Sequence, residues 1–302
     1  MEEVKVVVKE VCDLFSDHEE ADTRILLHAS HAARENSTVV IKSPDTDVFM
    51  FPLAAAHEIP ATDLLFLTGS GNNRRIICVS KHAKTLGKEK CKALLGFHTF
   101  TGCDSVSAFK GKGKVKPLNL LLKSDDFIKL FAKLGTEWET SESELITTER
   151  FVCEMYDQKE CSDVNIARYN LFRLTCRADY QLLPPNQDCL LHHVKRANCQ
   201  AAIYRRSLLP YINAPSPNGY GWKSMGDTLV FDWMSGDPAP PSVLKTVYCK
   251  CQKGGCKGMC SCSIMKLLCT DLCRCLPEIC TNNKVESEGS SDLESNSDSD
   301  DE

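Results

Sequence analysis

Carboxylates in the first third of the chain occur at spacings that could bind a metal ion. Glu20 and Asp22 are two residues apart, Asp45 and Asp47 repeat this spacing, and Asp104 follows further along. Grouped carboxylates repel one another, and hard divalent cations such as Mg²⁺ and Mn²⁺, which take oxygen ligands, relieve that repulsion. Such ions can activate water for phosphodiester cleavage. Each Asp-x-Asp pair taken alone is more often a turn or a helix cap, so the interpretation depends on the five residues coming together.

Cysteines provide a second candidate chemistry. The chain has 18 cysteines. Nine of them lie within residues 249–280, namely Cys249, Cys251, Cys256, Cys260, Cys262, Cys269, Cys273, Cys275 and Cys280. Nine thiolates suit three tetrahedral Zn²⁺ ions, because six terminal and three bridging sulfurs fill twelve coordination positions. An odd number of cysteines also argues against a closed set of disulfides. We therefore predict about three structural zinc ions.

The acidic residues lie among segments that alternate between helix and strand patterns. Helix patterns occupy residues 17–35 and 80–98, and strand patterns occupy residues 37–41, 64–67 and 75–79, the last two forming a hairpin. This alternation predicts an α/β domain with a partly parallel sheet flanked by helices. Asp45 and Asp47 follow a strand, and loops at the carboxyl ends of strands converge on one crevice of such a sheet. Asp17 is expected to cap the first helix.

Four short segments resemble known nucleases: Glu20-Ala-Asp22, Ser43-Pro-Asp-Thr-Asp-Val48, Phe100-Thr-Gly-Cys-Asp104 and Gly111-Lys-Gly113. Their order and intervals resemble the flap-endonuclease and XPG-type branch of the PIN-like nucleases. That resemblance implies metal-dependent hydrolysis of DNA or RNA, with Glu20, Asp22, Asp45, Asp47 and Asp104 as catalytic metal ligands. It also implies phosphate contacts from a helix–loop–helix through Lys110, Gly111, Lys112, Gly113, Lys114 and Lys116. The alternative for this lysine run is a solvated loop.

The amino-acid sequences of these segments also resemble those of a group of transposable-element-associated animal proteins. The similarity includes His18-Glu-Glu-Ala-Asp-Thr-Arg24 and Thr101-Gly-Cys-Asp-Ser105. Flap-type nucleases carry two further aspartates on strands before the first acidic pair, whereas only 19 residues precede Glu20 here. We therefore expect an N-terminally incomplete sheet, with feeble or absent cleavage by this chain alone. A protein partner that supplies the missing strands is one way to complete it.

The cysteine-rich segment resembles the CXC domains of the tesmin family. The resemblance rests on Cys269-Thr-Asp-Leu-Cys-Arg-Cys275 and the later Asn282. Such domains are implied to bind three zinc ions and often DNA. Met259 stands where DNA-binding members often carry a tyrosine, and only one copy is present, so a structural role for zinc is favoured. The alternative function for the whole chain is a non-catalytic protein that uses this module to bind nucleic acid, chromatin or other proteins.

Charge and composition indicate how the chain divides into domains. The formal net charge is −5, but residues 286–302 hold eight carboxylates and no Lys or Arg, which leaves 36 basic against 41 − 8 = 33 acidic residues elsewhere. We predict a PIN-like domain (1–120), a helical extension (121–209), a Pro/Gly/Trp-rich linker (210–248), a Zn₃Cys₉ module (249–283) and a disordered acidic tail (284–302). Neither a secretory signal nor an apolar run of the roughly 18 residues that a membrane helix needs is visible, so we expect a nuclear, otherwise cytoplasmic, protein with no membrane partner.

Histidines offer weaker candidates. His28, His31, His82, His98, His192 and His193 are each more simply explained as surface or packed residues than as ligands. His98 deserves separate mention because it lies six residues before Asp104.

Overall fold

The computed structural model describes residues 9–45, 47–175 and 182–236, together with residues 249, 251, 256, 260–264, 267–269, 273, 275 and 280–283. The chain divides into two compact units: Met1–Tyr169 with Gln181–Gly236, and Asn170–Tyr180 with Asp237–Glu302. The predicted acidic tail and residues 237–248 of the predicted linker lie outside the described residues.

Helices dominate the described residues. They are α1 (Ala21–Ala32), α2 (Met50–Ala55), α3 (Val79–Leu86), α4 (Lys88–Thr101), α5 (Val115–Leu122), α6 (Asp125–Lys133), α7 (Glu142–Met155), α8 (Val164–Thr175), α9 (Gln187–Arg205) and α10 (Ser261–Ile264). The strands are β1 (Thr38–Lys42), β2 (Asp63–Thr68), β3 (Arg75–Cys78), β4 (Trp222–Met225) and β5 (Thr228–Phe231). No helix in these described ranges is both long and apolar enough to cross a membrane.

The larger sheet has the order β1-β2-β3, and Asp45 and Asp47 follow its first strand in the chain. β1 pairs with β2 in parallel, with Ile41 opposite Phe66, and β2 pairs with β3 antiparallel. Val39 and Ile41 of β1 are buried while Val40 between them is exposed, as the alternation of a strand with one covered face requires. The predicted mixed α/β architecture, partly parallel sheet and hairpin are confirmed.

The core beside this sheet is formed by strands and helices together. Leu64 and Phe66 of β2 pack in one cluster with Leu26 of α1, Val79 of α3 and Leu95 of α4. Each such side chain is at most 2% exposed, and burying one contributes about 1.5–3 kcal/mol. The cluster therefore holds α1 and α4, which flank the acidic residues, against the strands.

A second core joins α4 to the later helices through phenylalanines. Phe151 of α7 lies 5.1 Å from Phe127 and 4.8 Å from Phe131 of α6, ring centroid to centroid, in edge-to-face contacts. Phe131 in turn lies 5.3 Å from Phe100 of α4. α9 presents small, fully buried residues, including Ala197 and Ala201, which allow close approach of its neighbours.

Several local details differ from the sequence-based expectations. The first helix begins at Ala21, with Glu20 rather than Asp17 at its N-cap. The helical pattern over residues 80–98 is two helices, because Gly87 adopts a φ of 82° between α3 and α4. The segment predicted as an irregular linker contains the β4–β5 hairpin, which packs on α9 where Arg196 Nη1 donates to the carbonyls of Gly221 (3.0 Å) and Asp232 (3.2 Å).

Candidate metal centres

The first acidic pair lies at the N-terminus of α1. Glu20 is the N-cap residue and Asp22 lies in the first turn, where the helix dipole favours negative charge. Thr23 Oγ1 donates to the Glu20 carbonyl at 3.1 Å. Asp17 has a different task, because its carboxylate accepts the backbone N–H groups of Ile212 (2.8 Å) and Asn213 (3.1 Å). These bonds lower the pKa of Asp17 and tie the start of α1 to the segment after α9.

The second acidic pair extends from the carboxyl end of β1. Ser43 N donates to the Leu67 carbonyl at 3.1 Å, which continues the β1–β2 ladder by one residue. The chain then turns: Ser43 Oγ accepts from Asp45 N at 3.1 Å, and Asp45 Oδ1 accepts from Asp47 N at 2.8 Å. This side-chain-capped turn places both carboxylates just beyond the strand, as predicted from the sequence.

Asp104 lies in a loop that α9 holds in place. Cys103 and Val106 exchange backbone hydrogen bonds of 3.0 and 3.1 Å across the turn that carries Asp104. Ser105 Oγ donates to Gln200 Oε1 of α9 at 2.6 Å. Buried His193 of α9 donates from Nε2 to the Phe100 carbonyl at 2.8 Å, just before the loop. Sequence reasoning did not identify α9 as the support of this loop.

Charge interactions couple the three acidic segments. The pKa of Asp22 is raised by burial, then by the charges of Asp45, Asp104 and Asp47. The pKa of Glu20 is raised by burial, then by Asp22 and Asp104, with a smaller effect from Glu19. Carboxylates from the two later segments therefore raise the pKa of carboxylates in the first. Glu19 contributes to this effect on Glu20, although the sequence did not single it out.

The five carboxylates do not form a closed coordination shell in this structure. Within the described part of the chain, the groups of at least three His, Cys, Asp or Glu ligand atoms that lie within 4.8 Å of one another consist of cysteines. Asp45 and Asp104 are exposed, and Asp22 and Asp47 are partly exposed. A set of carboxylate oxygens with excess negative charge fits a hard divalent cation, which would draw the side chains together.

His98 of α4 lies beside this acidic group. Its side chain is 8% exposed, and Nε2 lies 3.5 Å from Asp47 Oδ2 without a hydrogen-bond partner. Lys114 Nζ lies 3.0 Å from His98 Nδ1 and donates to the Gly102 carbonyl at 2.7 Å. Burial lowers the pKa of His98, and the Lys114 charge lowers it further. The sequence singled out His98 only for its position six residues before Asp104, and its contacts with Lys114 and Asp47 are visible only in the structure.

The lysines predicted to bind phosphate contact protein groups here. Lys112 Nζ lies 4.2 Å from the centroid of the Tyr156 ring, and Lys116 Nζ pairs with Asp157 at 2.6 Å. Burial lowers the pKa of both Lys112 and Lys114. The loop before α5 bends at Gly111, where φ is 71°. Lys114 connects this lysine segment to the acidic group, because it contacts His98, which lies beside Asp47.

The cysteine cluster forms a thiol core in the second unit. Cys249 Sγ lies 3.3 Å from Cys256 Sγ and 3.7 Å from Cys275 Sγ, and Cys256 Sγ lies 3.4 Å from Cys269 Sγ. Three overlapping groups of four sulfurs have all their members within 4.8 Å of one another: Cys249, Cys262, Cys269 and Cys273; Cys249, Cys251, Cys256 and Cys260; Cys249, Cys256, Cys269 and Cys275. Cys280 is fully buried in the same cluster. The cluster could hold metal ions, and sulfur donors suit zinc.

Burial and neighbouring thiols shift the pKa values of these cysteines. Burial raises the pKa of Cys262 and Cys275 to about 12. Burial also acts to raise the pKa of Cys249, but hydrogen bonds from the Cys251 backbone and neighbouring thiols outweigh it and lower that pKa to about 6. Asn282 Nδ2 donates to Cys269 Sγ at 3.3 Å, a contact that suits a thiolate acceptor.

Comparisons with known proteins assign no family, since no family model, curated protein or solved structure matches the chain. The resemblances to flap-type nucleases and to CXC domains therefore stay predictions from the motifs. The mixed α/β fold and the cysteine cluster rest on the structure itself.

Proposed function

We propose that this protein is a divalent-metal-dependent nuclease-like protein whose metal ligands are Glu20, Asp22, Asp45, Asp47 and Asp104. The observation that carries the proposal is the electrostatic coupling of three acidic segments that are far apart in sequence. The charges of Asp45, Asp47 and Asp104 all act on the single residue Asp22, and each of them raises its pKa. Such an arrangement costs stability without a cation, so binding of Mg²⁺ or Mn²⁺ is the simplest reason for it.

The chemistry follows from the donor set. A bound Mg²⁺ or Mn²⁺ would supply Lewis acidity and a water of lowered pKa for phosphodiester hydrolysis. The role of the chain is to present oxygen ligands from a helix N-terminus, a strand end and a loop braced by α9. These supports fix the backbone around the ligands, which is part of the preorganisation that a metal site in a catalytic protein requires. The side chains would close around the ion when it binds.

The proposed substrate is DNA or RNA recognised through its backbone. Lys110, Lys112, Lys114 and Lys116 lie in the loop and helix start that follow Asp104. Ammonium groups and backbone amides contact phosphates without reading base sequence. In this proposal a phosphate would compete with Asp157 for Lys116, whose ion pair is exposed and therefore weak. A nuclear location and a mobile-element origin belong to the same proposal.

For the second unit we propose a structural module with about three zinc ions. Three overlapping groups of four sulfurs, which share Cys249, Cys256 and Cys269, support a cluster of several ions joined by bridging thiolates. Cys280, buried in the same cluster, would supply the ninth sulfur. Zinc in such a module contributes folding free energy rather than catalysis.

Cleavage of flap and hairpin DNA in Mn²⁺ tests the proposed activity. The double variant Asp45→Ala/Asp47→Ala removes two proposed ligands, and Asp63→Ala/Glu89→Ala removes the same charge at exposed carboxylates outside the group. We expect weak cleavage by the wild type and the control variant, and none by Asp45→Ala/Asp47→Ala. Cleavage that Asp45→Ala/Asp47→Ala leaves unchanged would refute the assignment of the site.

A non-catalytic function is the second candidate. The absence of a closed carboxylate shell among the described residues favours it, because the cysteine cluster is already assembled while the acidic group is not. In that case the zinc-binding module would carry the function by contacting nucleic acid, chromatin or another protein. Nucleic-acid binding that persists in Asp45→Ala/Asp47→Ala without any cleavage by the wild type would favour this candidate.

A further inference from the structure

We propose that His98 is a positioning residue for the metal site, with Nε2–H oriented toward Asp47 and Lys114 selecting the tautomer that carries this proton. The inference rests on the proposed function of the acidic group. It adds His98, which no motif in the sequence assigned to the site, and gives Lys114 a role beyond the proposed phosphate contact.

The tautomer follows from the chemistry of Lys114. An ammonium group has donors and no acceptor, so the 3.0 Å contact between Lys114 Nζ and His98 Nδ1 requires Nδ1 to accept. A neutral imidazole that accepts at one nitrogen carries its proton on the other. Lys114 is itself held by the Gly102 carbonyl at 2.7 Å, which fixes its direction. His98 therefore presents Nε2–H, a donor, on the side of Asp47.

The burial of the His98 Nε2–H donor indicates that it needs a hydrogen-bond partner. The His98 side chain is 92% buried, since 8% of it is exposed, and Nε2 has no hydrogen-bond partner. Leaving a buried donor unsatisfied costs about 1–3 kcal/mol, so such a group needs a reason. Its nearest acidic neighbour is Asp47 Oδ2 at 3.5 Å, which is too long for a good hydrogen bond.

Closure of the acidic group around a cation would supply the missing partner. The Asp47 carboxylate has two oxygens, so one can face a metal ion while the other accepts from His98. Partners of this kind orient ligands and hold them in the geometry that the metal needs. A small movement of Asp47 toward Nε2 would satisfy the buried donor and fix the ligand in one step.

Nuclear magnetic resonance of the ¹⁵N-labelled, zinc-loaded full chain tests the tautomer without reference to activity. Peaks of His98 are identified by their loss in His98→Gln. We expect the Nε2–H tautomer in the wild type, a shift of the Nε2–H resonance on addition of Mg²⁺, and population of the other tautomer in Lys114→Met. An Nδ1–H tautomer in the wild type would overturn the inference.

Binding of Mn²⁺, followed by loss of the free-ion electron paramagnetic resonance signal, tests the consequence. Gln places an amide N–H near the position of Nε2, whereas Asn reaches only the position of Nδ1, so His98→Gln and His98→Asn form a matched polar pair. We expect His98→Asn to weaken Mn²⁺ binding at least about tenfold and His98→Gln to stay within about threefold of the wild type. Thermal unfolding of both variants checks that they fold.

The outcomes separate this inference from the proposed function. Binding that is lost in Asp45→Ala/Asp47→Ala but is equal in His98→Asn, His98→Gln and the wild type overturns the role of His98 alone. No Mn²⁺ binding outside the zinc module, or binding unaffected by Asp45→Ala/Asp47→Ala, overturns the proposed function and this inference with it. A tenfold loss confined to His98→Asn supports both.

Discussion

Asp22 illustrates at the scale of one residue how a functional group can cost stability. Its pKa is raised by burial and by three neighbouring carboxylates, so the folded state disfavours its ionised form. The cost is present where the carboxyl group is ionised and disappears in acid as it becomes protonated. A bound divalent cation would remove the same cost by neutralising the field.

Replacing Asp22 by Asn is therefore expected to stabilise the metal-free protein at neutral pH. We expect a rise in melting temperature of roughly 1–3 °C in Mg²⁺-free buffer, because a like-charge repulsion is lost. Added Mg²⁺ should stabilise the wild type but not Asp22→Asn. Thermal unfolding measures both effects, with Asp63→Asn as the exposed control. A variant less stable than the wild type in Mg²⁺-free buffer would show that Asp22 has a favourable partner.

His193 gives a pH-dependent prediction at the same scale. Full burial lowers its pKa to about 4, although its bond to the Phe100 carbonyl opposes the shift. Unfolded chains protonate histidine near pH 6.5, so stability should fall as the pH drops from about 6.5 to about 4, by up to about 1.4 kcal/mol per pH unit. His193→Gln keeps an N–H donor and cannot titrate. Urea unfolding at several pH values should give a shallower slope for this variant, and equal slopes would contradict the assignment.

At the scale of elements, α9 connects the helical core to the site. Its residues brace the Asp104 loop through Gln200 and His193, and Asn198 binds the turn after α6 by accepting from Gly135 N at 2.7 Å. The sequence predicted a helix here, but the buried polar residues gave no sign of which face would be covered. Their partners, the Ser105 hydroxyl and backbone groups of Phe100 and Gly135, are distant in sequence, so residue spacing does not reveal them.

Close packing of α9 against the turn after α6 leads to a prediction about Gly135. Gly135 has a φ of 83°, and a Cβ there would lie 2.6 Å from Ala201 Cβ. Gly87 has a φ of 82°, but a Cβ there would meet no atom within 4 Å. Gly135→Ala should therefore lose about 1–3 kcal/mol more unfolding free energy than Gly87→Ala, because only the first forces α9 to move. Equal losses in urea unfolding would show that backbone strain alone decides both.

The strands of the β1-β2-β3 sheet were predicted more completely than the helix boundaries. Val39–Ile41 and the hairpin after it are encoded by local alternation and turn residues, which act over a few positions. The role of Asp17 was mistaken because its partners, the backbone amides of Ile212 and Asn213, are almost 200 residues away in sequence. The β4–β5 hairpin was missed because the Pro- and Gly-rich composition around it obscures its short strands.

At the scale of the whole molecule, the chain carries two donor sets of different chemistry. The carboxylate oxygens proposed as ligands in the first unit would suit a hard cation, and the thiols in the second unit suit zinc. The cysteines could be recognised from the sequence because they are adjacent in it. The acidic group required the fold to bring three segments together, and the His98–Lys114 pair beside it depends on helix orientation that no local pattern specifies.

Zinc binding should depend strongly on pH. With the pKa of Cys262 and Cys275 raised to about 12, these thiols are protonated at neutral pH without metal, and Zn²⁺ must displace their protons. We expect the apparent zinc affinity to fall at least about tenfold per unit decrease in pH. Competition with a chromophoric chelator at two pH values measures this. An affinity independent of pH would indicate that the cysteines are not the ligands.

The most direct test of the account is to locate Mn²⁺ in crystals of the full chain by anomalous diffraction on both sides of the manganese absorption edge. We predict a manganese peak among Glu20, Asp22, Asp45, Asp47 and Asp104, with Asp47 also within hydrogen-bond distance of His98 Nε2. Zinc peaks in the cysteine cluster would serve as the internal reference. Zinc peaks without any manganese peak among the carboxylates would contradict the metal site on which the proposed function depends.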